Sequence, residues 1–255
     1  MGRLNRIIAS IPTMIQVKKI SIALLIFCCC SQAFADLRYR WKLLKVDTDF
    51  LVEIRNPDTL RLSLSDDFYL LSSQDGIYAI INDRVLDVLA FHEELRDLWI
   101  VNYFGERMHK RAWRVPHKDA LIESGETINY ADIEVIKVYA DVMEPESGEK
   151  IRQELLITND DRILYLKQVM QSFSNRNIQH LAGTGFEVMN QAMHTLVPMD
   201  KAIVRYSDRF ELTALEEVDL PDEHFSLPKN AKIRNRPGLV DLGMAAKIIL
   251  PLAVD

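Results

Sequence analysis

Six histidines are the first residues to consider for catalysis or metal binding, because a neutral imidazole can act as a base or as a ligand. They are scattered along the chain without an i, i+4 or alternating pair, at His92, His109, His117, His180, His194 and His224. His92-Glu93 begins like the helix of a zinc protease, but Arg96 stands where the second imidazole ligand is required. The spacing therefore predicts no metal site, and we expect His92 on a helix surface.

Nucleophiles and paired acids give no stronger signal. The sequence contains no G-x-S-x-G elbow, and residues 182–185 are too short for a phosphate-binding loop and are not followed by its lysine. Asp160 and Asp161 could act as general acid and base, but adjacent acids before an apolar helical pattern more often cap the helix. We therefore predict a protein that is not an enzyme and needs no cofactor.

One segment is strongly basic. Between Gly105 and Lys118, five lysines and arginines accompany a single acid, Glu106. Such a segment could meet lipid head groups, a phosphate or an acidic envelope protein. The alternative is a solvated strand and loop whose cations pair with nearby carboxylates. The candidate residues for an anionic partner are Arg107, Lys110, Arg111, Trp113, Arg114 and Lys118.

A second candidate site is apolar. Methionine and phenylalanine recur at helical spacing in two segments, and two aromatic residues alternate near residue 40. Flexible thioethers suit an adaptable pocket, although the same pattern is typical of an ordinary core between helix and sheet. The candidate ligand-binding residues are Tyr39, Trp41, Met170, Phe173, Phe186, Met189, Met193 and Leu196.

The elements that must position these residues begin with strands. Apolar and charged residues alternate over 37–43, and short apolar runs follow at 50–54, 60–64, 68–71, 77–81 and 84–88. Turn signals separate them at residues 56–58, 74–76 and 82–83. This spacing predicts an antiparallel meander with one solvated face.

Helices and further strands follow. We expect a short helix over 90–99 and strands over 112–115, 127–132, 134–142 and 150–158, with residues 144–148 joining the last two. Residues 159–161 can cap a helix with Ile163 and Leu166 on its apolar face, and Thr184 with Glu187 forms a capping box for the next helix. Strands over 202–207 and 210–218 come last. The order predicts an α+β fold, an antiparallel sheet with two or three helices packed on one face.

The N-terminal residues have the pattern of a secretory signal. Lys18 and Lys19 precede an apolar run over 20–30, and Ala33-Phe34-Ala35 matches a cleavage site. We predict a cleaved signal peptide over 1–35, a single domain over 36–233 and a C-terminal tail over 234–255, in a periplasmic protein. Alternatives are an uncleaved anchor in the inner membrane, a start at Met14, and lipid attachment at one of the cysteines Cys28, Cys29 and Cys30.

Cleavage after Ala35 would also change the chemistry of the chain. It removes all three cysteines and four basic residues, which leaves 27 lysines and arginines against 37 acids, a net charge of −10. Without cysteine, the mature chain has no disulfide and no thiolate. The negative balance argues against nucleic acid or an anionic membrane surface as a general partner.

Several short motifs carry a resemblance to a known group of proteins. They lie at residues 54–62, 75–78, 85–88, 155–162, 204–206 and 224–228. Together they are similar to a set of uncharacterised periplasmic proteins of Gram-negative bacteria that resemble the lipoprotein-carrier half-barrel. The resemblance covers most of residues 37–230. It implies a curved sheet with helices against its concave face, and it brings no catalytic residues.

Two functions follow as expectations. The first is the binding of a lipid, an acyl chain or a lipidated protein between the sheet and the helices, as the resemblance implies. The second is an envelope interaction or assembly factor that uses the basic residues 107–118. Membrane association is expected to be peripheral at most.

Overall fold

The structure is a computed structural model that describes residues 35–44, 47–88, 90, 118–143, 149–175 and 192–235. These residues form one large sheet, one long helix, a short helical stretch at 192–195 and a 3-10 helix. The strands are β1 (Asp36–Leu43), β2 (Thr48–Asn56), β3 (Thr59–Ser65), β4 (Phe68–Ser73), β5 (Gly76–Ile81), β6 (Arg84–Asp87), β7 (Lys118–Tyr130), β8 (Ile133–Met143), β9 (Lys150–Thr158), β10 (Ala202–Tyr206), β11 (Phe210–Val218) and β12 (Ile233–Arg234). The helix α1 spans Asp161–Asn175, and the 3-10 helix spans Asp222–Phe225.

The sheet is continuous across all twelve strands. Its order is β12-β6-β5-β4-β3-β2-β1-β11-β10-β9-β8-β7. Neighbours are antiparallel except β12, which pairs with β6 in parallel. Strand β1 lies inside the sheet, where the meander β1–β6 meets the second group of strands through β11. An α+β fold built on an antiparallel sheet is therefore confirmed.

The predicted turns of the meander are confirmed as well. Asn82 and Asp83 adopt φ values of 46° and 64°, the left-handed pair that a two-residue hairpin requires. Both residue types tolerate this conformation because their short polar side chains can form local hydrogen bonds. The hairpin brings Ile81 opposite Arg84 and sets the register of β5 and β6.

Helix α1 begins where the acids predicted it. The backbone N–H of Arg162 donates to Asp160 Oδ1 over 2.9 Å, and the Arg162 guanidinium pairs with Asp160 Oδ2 at 2.7 Å. This ion pair lowers the pKa of the Asp160 carboxyl. Asp160 is thus the N-cap, as the capping interpretation predicted.

The two faces of the sheet have different coverings. Adjacent residues of a strand point to opposite faces, so Tyr39, Val52 and Leu62 share one face and Arg38, Glu53 and Arg61 share the other. We name the first the helix face, because Tyr39 Oη donates to the carbonyl of Arg162 in α1 over 2.7 Å. The second is the strap face, because residues 219–234, the C-terminal strap, cross it.

Each face carries its own apolar core. The main core lies on the helix face and includes the buried α1 residues Ile163, Leu166, Val169, Met170 and Phe173. A smaller second core lies on the strap face, where Leu71, Tyr78, Ile80 and Val85 pack against Phe225 of the strap. The second face is therefore not solvated along strands β4–β6, since the strap covers apolar side chains there.

Three details of the predicted elements differ. Strand β7 begins at Lys118 rather than 127, because the register shifts between Glu123 and Thr127 and Gly125 takes a φ of 74°, which interrupts the alternation. The 3-10 helix and β12 were not predicted. Strand β12 ends at Arg234, one residue past the predicted end of the domain at 233. Of the helix expected over 90–99 the structure describes only residue 90, which is helical, and the strand expected over 112–115 and the connection over 144–148 lie outside the described residues.

Candidate functional site

The apolar residues selected from the sequence come together on the helix face. Tyr39 and Trp41 lie on β1, while Met170 and Phe173 project from α1 and Met193 and Leu196 from residues 192–197. Every one of these six side chains is at most 3% exposed. Phe186 and Met189 lie outside the described residues. In this structure these six residues form part of the main core, and their role as ligand-binding residues stays a prediction.

An aromatic row crosses this core next to Trp41. Phe210 on β11 packs edge to face against Trp41 at 5.8 Å and against Tyr206 of β10 at 5.7 Å, measured between ring centroids. The register places all three rings on the helix face, since Phe210 pairs with both Leu43 and Tyr206. Such contacts add about 0.5–1.5 kcal/mol each beyond the buried area.

Polar atoms within this row lack partners. Trp41 Nε1 and Tyr206 Oη are buried, and neither has a hydrogen bond within the part of the chain that the structure describes. Gln153 Oε1 on β9 is in the same situation. Burial raises the pKa of the Tyr206 hydroxyl, so this group is a neutral donor. Each unsatisfied group costs about 1–3 kcal/mol, so these atoms require an explanation.

The helical layer contains a buried lysine and a histidine. Lys167 of α1 is 2% exposed, and its Nζ donates to the carbonyls of Pro198 and Lys201 over 2.8 and 2.7 Å. Burial lowers the pKa of Lys167. Burial and the nearby charge of Lys167 lower the pKa of His194. The lysine ties α1 to the segment that leads into β10, which is a structural role.

A charged network occupies the strap face. Glu216, Arg38, Glu53 and Arg61 stand side by side on β11, β1, β2 and β3, so opposite charges alternate across the strands. Glu53 is only 2% exposed, and its Oε1 accepts from Arg38 Nε over 2.8 Å. A buried carboxylate needs such partners, because its desolvation otherwise costs several kcal/mol.

The same network fastens the strap. His224 Nε2 lies 2.6 Å from Glu53 Oε2, and Arg61 Nη1 lies 3.5 Å from His224 Nδ1. Both ring nitrogens are therefore engaged, with Nε2 as the donor to the carboxylate and Nδ1 as the acceptor from the guanidinium. A general base needs a free nitrogen that faces a substrate. This arrangement indicates a structural dyad.

A second set of contacts fixes the beginning of the strap. Arg55 binds the buried carboxylate of Asp36 through Nε and Nη2, at 3.1 and 3.0 Å. It also donates to Asp222 and to the carbonyl of Leu220, and its guanidinium stacks on Phe225 at 4.6 Å. The backbone N–H of Leu220 donates to Asp36 Oδ2. One arginine thus joins β1, β2 and the strap.

Sequence reasoning missed this network as a unit. His224 appeared as one of six scattered histidines, and Arg55 and Arg61 appeared only within the motifs that carried the resemblance. Those motifs were the available signal, because the residues at 54–62 and 224–228 meet on the strap face. Their contact across 163 positions of sequence cannot be derived from local spacing.

Two further regions are a surface depression and the basic segment at 107–118. A shallow, open depression of about 580 Å³ is lined by Leu44, Glu154, Arg205, Ser207 and Asp208, none of them a predicted site residue. The basic residues at 107–114 lie outside the described residues, as does the side chain of Lys118. Their role stays a prediction.

The described residues offer neither a metal site nor a membrane-spanning helix. Within them, no three His, Cys, Asp or Glu side chains are grouped as a metal ion would require. None of the helices in these ranges combines the length and the apolar character needed to cross a bilayer.

Comparison of the chain with models of known protein families, with curated proteins and with solved structures finds no match. The resemblance to the periplasmic proteins therefore stays a prediction.

Proposed function

We propose that this chain is a non-catalytic periplasmic protein that binds a lipid, an acyl chain or a lipidated protein between its sheet and its helices. One observation carries the proposal. Aromatic residues of β1 and thioether and aromatic residues of the helical layer meet in a single apolar core on the helix face.

The character of this core supports a binding role. Met170 and Met193 are flexible and polarisable, so they can repack around a guest that a branched side chain would exclude. The six described candidates are closed against solvent in this structure. Ligand entry therefore requires α1 and residues 192–197 to move away from the sheet, with the sheet curved around the ligand as in a half-barrel.

The ligand proposal is tested with the purified mature chain. Organic extraction followed by mass spectrometry should recover a lipid or fatty acid that co-purifies in stoichiometric amount. The apolar fluorophore N-phenyl-1-naphthylamine should bind with increased emission, and the extracted lipid should displace it. Clean mass spectra together with unchanged emission would reject apolar ligand binding.

The compartment is tested separately. The proposal places cleavage between Ala35 and Asp36, so N-terminal sequencing of protein released from the periplasm of a Gram-negative host should begin at Asp36. Cytoplasmic retention of the full chain would count against this location without affecting the ligand test. Protein that keeps residues 1–35 in the membrane fraction would instead support the anchor.

A further inference from the structure

The far end of the strap carries a local excess of positive charge. Lys229, Lys232 and Arg234 follow one another closely, and no acid stands between them. All three residues are exposed. The side chains of Lys229 and Lys232 form no ion pair or hydrogen bond with another described residue. This cluster contrasts with the mature chain that we predict, in which acids outnumber lysines and arginines by ten.

Packing and a tight turn hold this segment in place. The backbone N–H of Ala231 donates to the carbonyl of Pro228 over 3.0 Å, which closes the turn. Asn230 takes a φ of 66° within it, so Lys229 stands at the corner of the turn. Leu227 before the corner and Ala231 after it pack against the second core. The backbone that carries the cations is therefore already ordered, and a partner does not have to order it.

The sheet register gathers cations on one side of the sheet edge. Arg234 pairs in parallel with Leu86 of β6, which packs against the main core on the helix face. Arg84, two residues earlier on β6, shares that face because side chains alternate along a strand. Lys232 precedes Arg234 by two residues and continues the row. Asp87 of β6 points to the strap face, where it stands opposite Tyr78.

The sequence beyond this cluster is apolar. Residues 236–255 lie outside the described residues, and their sequence begins with one more cation, Arg236. Between residues 239 and 254 the only charged residues are Asp241 and Lys247. A cationic patch next to a weakly charged apolar segment is the combination that binds the interface of an anionic bilayer. An acidic protein would need only the cations, so the sequence favours the bilayer.

We propose that Lys229, Lys232 and Arg234, together with the apolar segment that follows them, dock this protein on an anionic phospholipid surface. The cations contact lipid phosphates, and the apolar segment lies at the boundary between head groups and acyl chains. The acids elsewhere on the chain do not prevent docking, because salt screens charges more than about 8–10 Å apart. The inference goes beyond the proposed apolar ligand and does not depend on it.

Vesicle sedimentation tests the proposal with the purified mature chain. We expect the protein to bind vesicles made of equal amounts of phosphatidylglycerol and phosphatidylcholine, and to stay in solution with vesicles of phosphatidylcholine alone. Binding should weaken when the ionic strength rises from about 0.1 to about 1 M, because the screening length falls from about 10 to about 3 Å. Equal binding to both kinds of vesicle would overturn the inference.

Two double substitutions separate the strap cluster from the overall charge. Lys229→Gln with Lys232→Gln should weaken binding to the anionic vesicles about 25-fold, since each cation near such a surface contributes about fivefold. Arg40→Gln with Lys150→Gln is the matched control, because these exposed residues lie on β1 and β9, at least six strands from β12. The control should change binding by less than about twofold. Unchanged circular dichroism verifies that both variants are folded.

A third substitution tests the apolar segment. Ile248→Ser with Ile249→Ser removes two large apolar side chains and should weaken binding to the anionic vesicles about tenfold. Unchanged binding of this variant would overturn the choice of a bilayer as the partner.

The remaining outcomes assign any binding to another source. If the variant that lacks Lys229 and Lys232 binds the vesicles normally, or if the matched control loses as much, the inference is overturned. If only Arg111→Gln with Arg114→Gln abolishes binding, the basic residues 107–118 are the docking site instead. If the chain ignores vesicles but binds poly-L-glutamate through the two lysines, the partner is an acidic protein and the inference is likewise overturned.

Discussion

The two faces of this sheet differ in how completely their buried polar groups are paired. On the strap face, Glu53 and Asp36 are buried carboxylates, and both have arginine partners within 3.1 Å. On the helix face, the buried indole of Trp41 and hydroxyl of Tyr206 have none among the described residues. A fully paired network holds its segment in one position. An unpaired buried donor has lost its hydrogen bonds to water and has gained none from the protein. The contrast separates the part of the molecule that is fastened from the part that we propose binds.

The largest expected effect comes from the helix face. Leu166→Ala removes a fully buried side chain between α1 and the sheet and should lower the free energy of unfolding by about 3 kcal/mol, because a cavity remains. Urea unfolding followed by circular dichroism measures the loss. A change below about 1 kcal/mol would mean that the helical layer repacks freely.

Breaking the network should have the next largest effect. Glu53→Gln removes the charge that Arg38 and His224 share and should cost about 2 kcal/mol, since those partners are partly exposed and can be hydrated. Hydrogen exchange should accelerate at the amides of the strap before the rest of the sheet opens.

Glu216→Gln is the matched control for that variant. Glu216 approaches the same Arg38 at 3.7 Å but is 47% exposed, so its loss should change stability by less than about 0.5 kcal/mol. Equal effects of the two substitutions would contradict the distinction between buried and exposed partners. If Glu53→Gln leaves the affinity for N-phenyl-1-naphthylamine unchanged, the strap face affects stability and does not affect ligand binding.

Asp160, which caps α1 on the helix face, should contribute to stability. Asp160→Ala removes the N-cap of α1 and should cost about 1 kcal/mol, while Asp161→Ala should cost less because its neighbour keeps the cap. Arg162 lowers the pKa of Asp160, so this contribution is complete above the ordinary pKa of aspartate and is lost as the pH falls below it. Thermal unfolding between pH 3 and 6 measures both effects, and equal losses in the two variants would refute the assignment of the cap.

The smallest effect is a pH dependence in the helical layer. Burial and Lys167 lower the pKa of His194, so the folded protein holds this imidazole neutral when the unfolded chain already binds a proton. Stability should therefore decline as the pH falls below about 6.5, the ordinary pKa of histidine. Urea midpoints at pH 8 and 5.5 measure the decline, which His194→Gln should reduce. Parallel declines in both proteins would show that other groups cause it.

Local elements were predictable wherever one pattern dominated. The strands at 150–158 and 210–218 and the cap at Asp160 were confirmed, because alternation and capping depend on adjacent residues. The start of strand β7 was predicted nine residues too late, at 127 instead of 118, since a bulge at Gly125 hides the alternation. The strap escaped prediction because its two-residue strand and its 3-10 helix carry too few residues for a period to show.

The residue types of the candidate site could be predicted from the sequence. Their hydrogen-bond partners in the folded protein could not. Met170, Phe173, Met193 and Leu196 lie in the same buried core as Tyr39 and Trp41, and their role in ligand binding stays a prediction. Whether Trp41 Nε1 or Tyr39 Oη finds an acceptor depends on which carbonyl a distant helix presents. Tyr39 meets Arg162 across 123 positions of sequence, and no local rule contains that contact.

The sequence by itself determined the class of fold, the meander with its turns, the cap of α1 and the apolar surfaces of sheet and helix. These depend on interactions between residues within a few positions of one another, where backbone geometry limits the choices. The tertiary structure alone decided the order of the strands, the pairing of Glu53 with His224 across 171 positions, and the isolation of Trp41 and Tyr206 inside the core. Hydrogen-bond partners at such separations are set by register and packing, which arise only when the whole sheet has formed.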